Sequence, residues 1–456
     1  MPSRRSFLKT SGLSLATAGP LLAQDKPSED PAQTFNDSDR VDSLEKVDPE
    51  AADGKPQPGS NPELRVALVG CGGRGRGAAV QALRADPDTR LVALADAFPE
   101  PIASGVKIFS AIEDVASRVD VPEERKFVGI DCCERLLAEV DVDVVLLCSP
   151  PFFRPSQYAM AIDAGKHVFA EKPVATDVVG IKSVLETSRK AAEKNLSVVS
   201  GLCWRYETGM IDTIKQIQDG VIGRPIAAHS VRYSGLVGRS QPREASKTEF
   251  EHQLRNWYFY TWLSGDFIVE QFVHDLDMVA WAMGEYPTGC VGTGGRETRP
   301  AEQGNIFDHF AVQFEFPSGA RFNATTRHQN GTENVYFNSV TGTDGTADLM
   351  GYKLKAHDGS RLYHNRSRRT VMHQLEHDEM YKALRAGERL DNSDYMIQST
   401  LMGILGREAA YTGKKLSTEK LLASDLSLQP SEIAWDAEPP AADVAVPGIT
   451  TLDRSI

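Results

Sequence analysis

The chain has 456 residues, enough for two ordinary domains, and 41% of them are apolar, which suits a full-sized core in water. Asp and Glu outnumber Lys and Arg 63 to 50, a formal net charge of −13 with no basic tract to offset it, so nucleic acid is excluded as a partner. Six cysteines give neither a disulfide framework nor a C-x-x-C zinc pair, and no stretch approaches the ~18 unbroken apolar residues of a membrane span.

The first residues, "SRRSFLK" followed by "TSGLSLATAGPLLA", form a charged front, a short and mildly apolar middle, and a small-residue exit at Ala23. That is the anatomy of a cleaved signal, and the Arg4-Arg5 pair resembles a twin-arginine signal. Residues 1–23 are therefore expected to be a signal peptide, and the mature protein periplasmic or otherwise exported through that pathway, with no membrane span. Residues 24–61 are rich in acids and prolines, with Phe35 as the lone aromatic, so they are expected to be an acidic flexible linker.

From Leu64 the texture changes. "LRVALVG" is a short buried strand, "GAAVQALRAD" follows at helical spacing, and "RLVALAD", "DVDVVLLCS", "KHVFAEK" and "LSVVSGL" are further apolar strands separated by helical stretches. Strands alternating with helices predict an α/β fold with a parallel sheet, a dinucleotide-binding domain over residues 62–203. After that come a helix near 208–219 and a polar, aromatic stretch. "HFAVQFEFPSGARFNATTRHQ" and "NVYFNSVTGTDGTADLM" then alternate like antiparallel strands joined at glycines. Residues 204–425 are read as a second α/β domain and 426–456 as an extended tail.

Three motifs carry chemistry. "VALVGCGGRGRG" sets Gly70, Gly72 and Gly75 in G-x-G-x-x-G spacing between a strand and a helix, where glycines permit a tight turn and close approach of a pyrophosphate to a helix N-terminus. Asp96 closes the second strand, 21 residues beyond Gly75, where a carboxylate accepts from ribose hydroxyls. The following "AFPEP" offers no cation for a 2′-phosphate, which favours NAD, with NADP as the alternative. The second motif, "AGKHVFAEKPVATD", puts Lys172 at the carboxyl end of a strand, where open α/β sheets bind ligands; a surface lysine in a turn is the simpler local account. In the third, "SGDFIVEQFVHDLDMVAW", a helix would carry Glu270, His274, Asp277 and Trp281 on one face at spacings of four, three and four. A histidine beside carboxylates is a candidate general base. It competes with a satisfied core histidine, and with a metal site for which no further ligand cluster is present.

Together these blocks, with "VDVVLLCSPP", "DGVIGRPIAAHSVR" and "VTGTDGTADL", resemble the Gfo/Idh/MocA family, whose members include glucose–fructose oxidoreductase and inositol dehydrogenase. The resemblance covers roughly residues 64 to 425. It implies an N-terminal Rossmann domain and a C-terminal α/β domain whose open, mainly antiparallel sheet serves a dimer or tetramer. It also implies Lys172 and His274 flanking a substrate carbon, with Glu270 standing where the family has Asp, and Arg154 where many relatives have His. The expected cofactor-binding set is Gly70, Gly72, Gly73, Arg74, Gly75, Asp96, Ser149, Pro150, Glu171 and Lys172. The expected catalytic set is Lys172, His274 and Glu270, without a metal.

The expected reaction is hydride transfer between a secondary alcohol of a sugar or cyclitol and a tightly held nicotinamide. His274 takes the hydroxyl proton, Lys172 stabilises the alkoxide and Glu270 tunes the histidine. Trp257, Tyr260 and Trp262 in "RNWYFYTW" are candidates to stack on a sugar ring, though core packing accounts for them equally well. Arg205, Tyr206 and Asp277 are weaker substrate candidates. The rival activities are a glycosidase working by transient oxidation and elimination, and a sugar-binding protein without turnover.

Overall fold

A computed structural model describes residues 59–238, 240–243, 248–367 and 369–454. The signal peptide and nearly all of the linker lie outside the described residues.

Two sheets organise the chain. The first is six-stranded and parallel: β1 (Leu64–Val69), β2 (Thr89–Asp96), β3 (Lys126–Val128), β4 (Val144–Leu147), β5 (His167–Ala170) and β6 (Val198–Ser200), in the spatial order β3-β2-β1-β4-β5-β6. Period-two alternation buries both faces. Val66, Leu68, Leu94, Val144, Leu146, Phe169 and Val199 pack on one side against the helix Gly73–Ala85. Ala67, Val69, Ala93, Val145, Leu147 and Val168 face the other side and join the core that continues into the second domain. The order of strands reverses at β1/β4, the place where such sheets open a crevice at their carboxyl ends. The helix Val178–Glu193 starts cleanly because the Asp177 side chain accepts from the Gly180 amide at 2.7 Å.

The second sheet contains β7 (Pro225–Ser234), β8 (Gly289–Gly295), β9 (His309–Glu315), β10 (Arg321–His328), β11 (Val335–Gly342), β12 (Gly345–Asp348), β13 (Lys353–Ala356), β14 (Arg361–His364) and β15 (Leu416–Ser417). Its order is β14-β13-β12-β11-β7-β10-β9-β8-β15. It is antiparallel except that β10 and β7 run parallel, which makes it a mixed sheet. The long connection through residues 235–288 allows this, because it brings the chain back to the same end of the sheet.

Three features depart from a simple reading of the sequence. The helix expected to carry Glu270 and His274 on one face is broken: Phe267–Glu270 and Val273–Met283 are separate helices. The Glu270 carbonyl, which would accept from the His274 amide in a continuous helix, instead accepts from Lys172 Nζ at 2.6 Å, and the His274 amide reaches Gln271 O at 3.5 Å. Next, the helix Met372–Ala386 returns to the first domain, with Met380 and Tyr381 in the core beside Phe169, and Val198 of β6 exchanges main-chain bonds with Leu390 and Asn392. Finally, the residues after Ala423 are not merely extended. They lie on the body, with the Leu428 amide donating to Asp177 Oδ2 at 2.7 Å and Arg454 paired with buried Glu408 at 2.7 Å.

Candidate active site

The glycine loop follows β1. Gly70 adopts φ +91°, and a side chain there would strike Ser149 N at 2.4 Å; one on Gly75 would lie 1.8 Å from Gly70 O. Gly72 is different: a Cβ there meets nothing within 4 Å, so the loop is open on the side from which a phosphate approaches. The first-turn amides of the helix Gly73–Ala85, including those of Gly73, Arg74 and Gly75, have no partner inside the helix and point at that opening. Asp96 Oδ2 accepts from the Cys71 amide at 2.7 Å and Oδ1 from the Phe98 amide at 3.0 Å, which fixes the carboxylate between loop and second strand. The open cradle and this donor–acceptor set fit a dinucleotide with an unphosphorylated ribose.

The Arg74 guanidinium is held by two carboxyls: its Nε lies 2.5 Å from Glu171 Oε1 and its Nη2 3.3 Å from Glu376 Oε1. His373 Nδ1 lies 3.4 Å from the same Glu376 oxygen. The two carboxyls respond oppositely. Burial opposes charge on Glu171, but Arg74, then Lys172, outweigh it and lower its pKa. At Glu376 burial dominates and raises the pKa well above the usual carboxyl value, the opposite direction to Glu171. Glu171 Oε2 accepts the Lys172 amide at 3.0 Å, which links the network to the Lys172–Pro173 turn.

Lys172 Nζ donates to Glu270 Oε1 at 2.7 Å as well as to the Glu270 carbonyl, with both side chains about five-sixths buried. Buried Arg154 holds the turn from behind, donating to Ser149 O at 2.5 Å and to Pro173 O. It thus ties the end of β4 to the residue after Lys172. The Ser149 hydroxyl bonds Gln157, and Pro150 begins the turn that follows. His274 is 6% exposed; burial, then the positive charges of Lys172 and Arg232, push its pKa well below 6.5. The imidazole is therefore neutral and able to accept a proton.

The structure thus gathers Lys172, Glu270 and His274 beside the glycine loop. It gives the other candidates different surroundings. Arg205 makes a bidentate pair with Asp277 at 2.8 and 2.9 Å, and Ser399 donates to the same carboxylate. The Arg205 guanidinium lies between the Trp281 and Tyr395 rings, at 4.6 and 4.4 Å. Tyr206 donates to Asn392 Oδ1 at 2.7 Å. Trp262 is buried edge-on to Phe152 with its indole N–H on Gln253, and Tyr260 is buried too, so both are packed as core; Trp257 keeps part of its surface.

Sequence reasoning passed over Arg232, Glu376 and His373. Arg232 sits on the inward face of β7 and pairs with Asp275 at 3.2 Å. A charge at an inward strand position between Ser230 and Ser234 is the signal that marks it. Among the described residues no group of three or more His, Cys, Asp or Glu is placed to hold a metal ion.

Comparison with known proteins agrees with this geometry. Residues 64–199 match the model described as "Oxidoreductase family, NAD-binding Rossmann fold", and residues 212–348 match the GFO/IDH/MocA C-terminal domain. An inositol 2-dehydrogenase of Burkholderia multivorans is 23% identical over 291 residues, 63% of this chain and 72% of that protein. Glycosyl hydrolase family 109 protein 1 of Bacteroides fragilis is 29% identical over 161 residues, 35% of this chain and 32% of that protein. The aldose-aldose oxidoreductase of Caulobacter crescentus, solved with glycerol, superposes with a TM-score of 0.60 at 18% identity, over 78% of this chain and 99% of that one. Glycine cradle, Asp96 carboxylate, Lys172 turn and two matched domains converge: this chain belongs to the Gfo/Idh/MocA family of NAD-binding oxidoreductases.

Proposed function

We propose that the protein oxidises a secondary alcohol of a sugar or cyclitol, or reduces the corresponding carbonyl, with a tightly held NAD as hydride partner. The observation that carries this reading is the Lys172–Glu270 pair beside neutral His274, next to a glycine cradle open for a dinucleotide. Bound NAD supplies the hydride acceptor. His274 takes the hydroxyl proton, and Lys172 Nζ, oriented by its two bonds to Glu270, stabilises the oxygen as negative charge develops. Glu270 aims Lys172 through those two bonds. Arg154 holds the Lys172–Pro173 turn against the end of β4 through the Ser149 and Pro173 carbonyls. The name of the Burkholderia multivorans relative supports a polyol substrate class. Assaying the purified protein against sugars and inositols for reduction of NAD tests it.

The likeness over 161 residues to a glycosyl hydrolase family 109 protein supports a second reading, glycoside cleavage without net redox change. Release of a free aglycone at constant NAD oxidation state separates the two. The Arg4-Arg5 signal supports loading of the cofactor before export. Free NAD is scarce outside the cytoplasm, and a protein exported folded carries its own. Self-association through the second sheet is part of the same proposal. Its outward face presents a row of small or apolar side chains, Phe337, Val231, Thr325, Ala311 and Thr293, in register across five strands.

A further inference from the structure

Phe98 joins three parts of the molecule. Its amide donates to Asp96 Oδ1, the carboxylate placed for the adenosine ribose, and its ring stands at the start of the helix Pro99–Ala111. From the second domain, the Arg255 guanidinium lies over that ring, 3.8 Å from its centroid. The same guanidinium reaches back to Glu251 at 2.9 Å and across to Glu100 of the first domain at 3.3 Å. From the C-terminal tail, the Trp435 ring packs on Phe98 at 5.5 Å. The tail is fastened on both sides of Trp435. Upstream, the Val179 amide donates to Leu426 O and the Leu428 amide to Asp177. Downstream, the Gly448 amide donates to Thr412 O and Arg454 pairs with Glu408.

We infer that Phe98, Arg255 and Trp435 form a retaining wall at the adenosine end of the cradle, so that the dinucleotide stays bound between turnovers. The inference rests on the dinucleotide reading above and adds three residues that no glycine motif announces. The physical logic is direct. Asp96 is anchored to the glycine loop through Cys71 and to the wall through Phe98, so the groups that hold the ribose move only if Phe98 moves. Phe98 is held by a cation over its face and an indole beside it, one from the second domain and one from a strap pinned at both ends. Opening the crevice from this side separates Arg255 from Phe98 and Glu100 together. A cofactor that has to survive where none is available for exchange needs this kind of slow exit.

The test uses the purified full-length mature protein loaded with NADH and chased with excess NAD, following the loss of bound-nucleotide fluorescence. Trp435→Ala and Arg255→Ala are expected to release NADH about ten-fold faster than wild type or more, whereas Ile433→Ala, at an exposed tail position, releases at the wild-type rate. Arg255→Lys, which keeps the charge but loses the flat guanidinium, is expected to fall between, and it covers the case in which the alanine variants melt early by circular dichroism. Release at the wild-type rate from Trp435→Ala, Arg255→Ala and Arg255→Lys alike overturns the wall while leaving the dinucleotide reading intact. A wild-type protein that takes up no NADH overturns both.

Discussion

Lys172 Nζ lies 2.6 Å from the main-chain oxygen and 2.7 Å from the side-chain Oε1 of Glu270, filling the gap where a helix breaks before His274. One ammonium thus ties the end of one helix to the turn after β5, and in the proposed reaction it also stabilises the substrate oxygen. Lys172→Met is expected to lower kcat by about 10²–10⁴ with NAD binding retained, because the lost group acts on developing charge rather than on the cofactor. Glu270→Gln is expected to cost less in kcat, since it keeps a hydrogen-bond acceptor for Lys172 Nζ but removes the negative charge beside it. Steady-state kinetics with separate NAD titrations check both.

As the proposed base, His274 is expected to set the acid limb of alcohol oxidation. Burial first, then Lys172 and Arg232, lower its pKa well below 6.5, so it stays neutral and competent as pH falls through the range where free histidine titrates. The acid limb of kcat/KM is expected below pH 6.5, and His274→Ala is expected to abolish it along with most of the activity. A limb at or above the ordinary histidine value contradicts this assignment.

Arg74 bridges two buried carboxyls, and removing it takes away the one side chain paired directly with both. Arg74→Met is expected to destabilise the fold by about 3 kcal/mol in denaturant unfolding. Glu376 has the opposite character to Glu171. Its folded pKa is raised, so the native state holds a proton that the unfolded chain releases above the ordinary carboxyl value. Its contribution is whole below that value and is lost as pH rises towards the folded pKa. Glu376→Gln is expected to match wild type at about pH 4, below the ordinary carboxyl value, and to melt higher than wild type at alkaline pH; thermal melts across pH check this divergence.

Asp96 sets cofactor choice. Asp96→Ser is expected to raise the ratio of NADP to NAD affinity by about ten-fold or more, since it removes a carboxylate from the site of the 2′-phosphate. Dissociation constants for both nucleotides measure it.

What the sequence revealed was whatever is local in the chain. Gly70, Gly72, Gly75 and Asp96 fall within one strand–helix–strand unit, and their spacing follows from the geometry of that unit. The Lys172 turn is likewise contiguous with its strand. The Arg74–Glu171–Glu376 network was not legible, because its members lie 97 and 302 residues apart and meet only because the helix Met372–Ala386 returns to the first domain. The break at Gln271 was hidden for a related reason. Periodicity from Glu270 to Trp281 is helical throughout, while the Glu270 carbonyl is taken by a lysine from the other domain, a contact no local pattern announces. Arg205 and Asp277 read as substrate contacts because both are polar beside the motifs, yet the structure shows each has the other as partner. The aromatic run divided by position, Trp262 entering the core between Phe152 and Phe250 and Trp257 staying near the surface.

The most direct test of the central claim is to isolate the mature protein without added nucleotide and record its near-ultraviolet absorbance and fluorescence while sugars and inositols are added in turn. The account predicts a co-purifying NAD that one polyol class converts to the reduced form, in wild type but not in Lys172→Met. A protein that carries no NAD and takes up none at millimolar supply, or one whose bound NAD is untouched by every sugar and cyclitol and releases no aglycone, contradicts it.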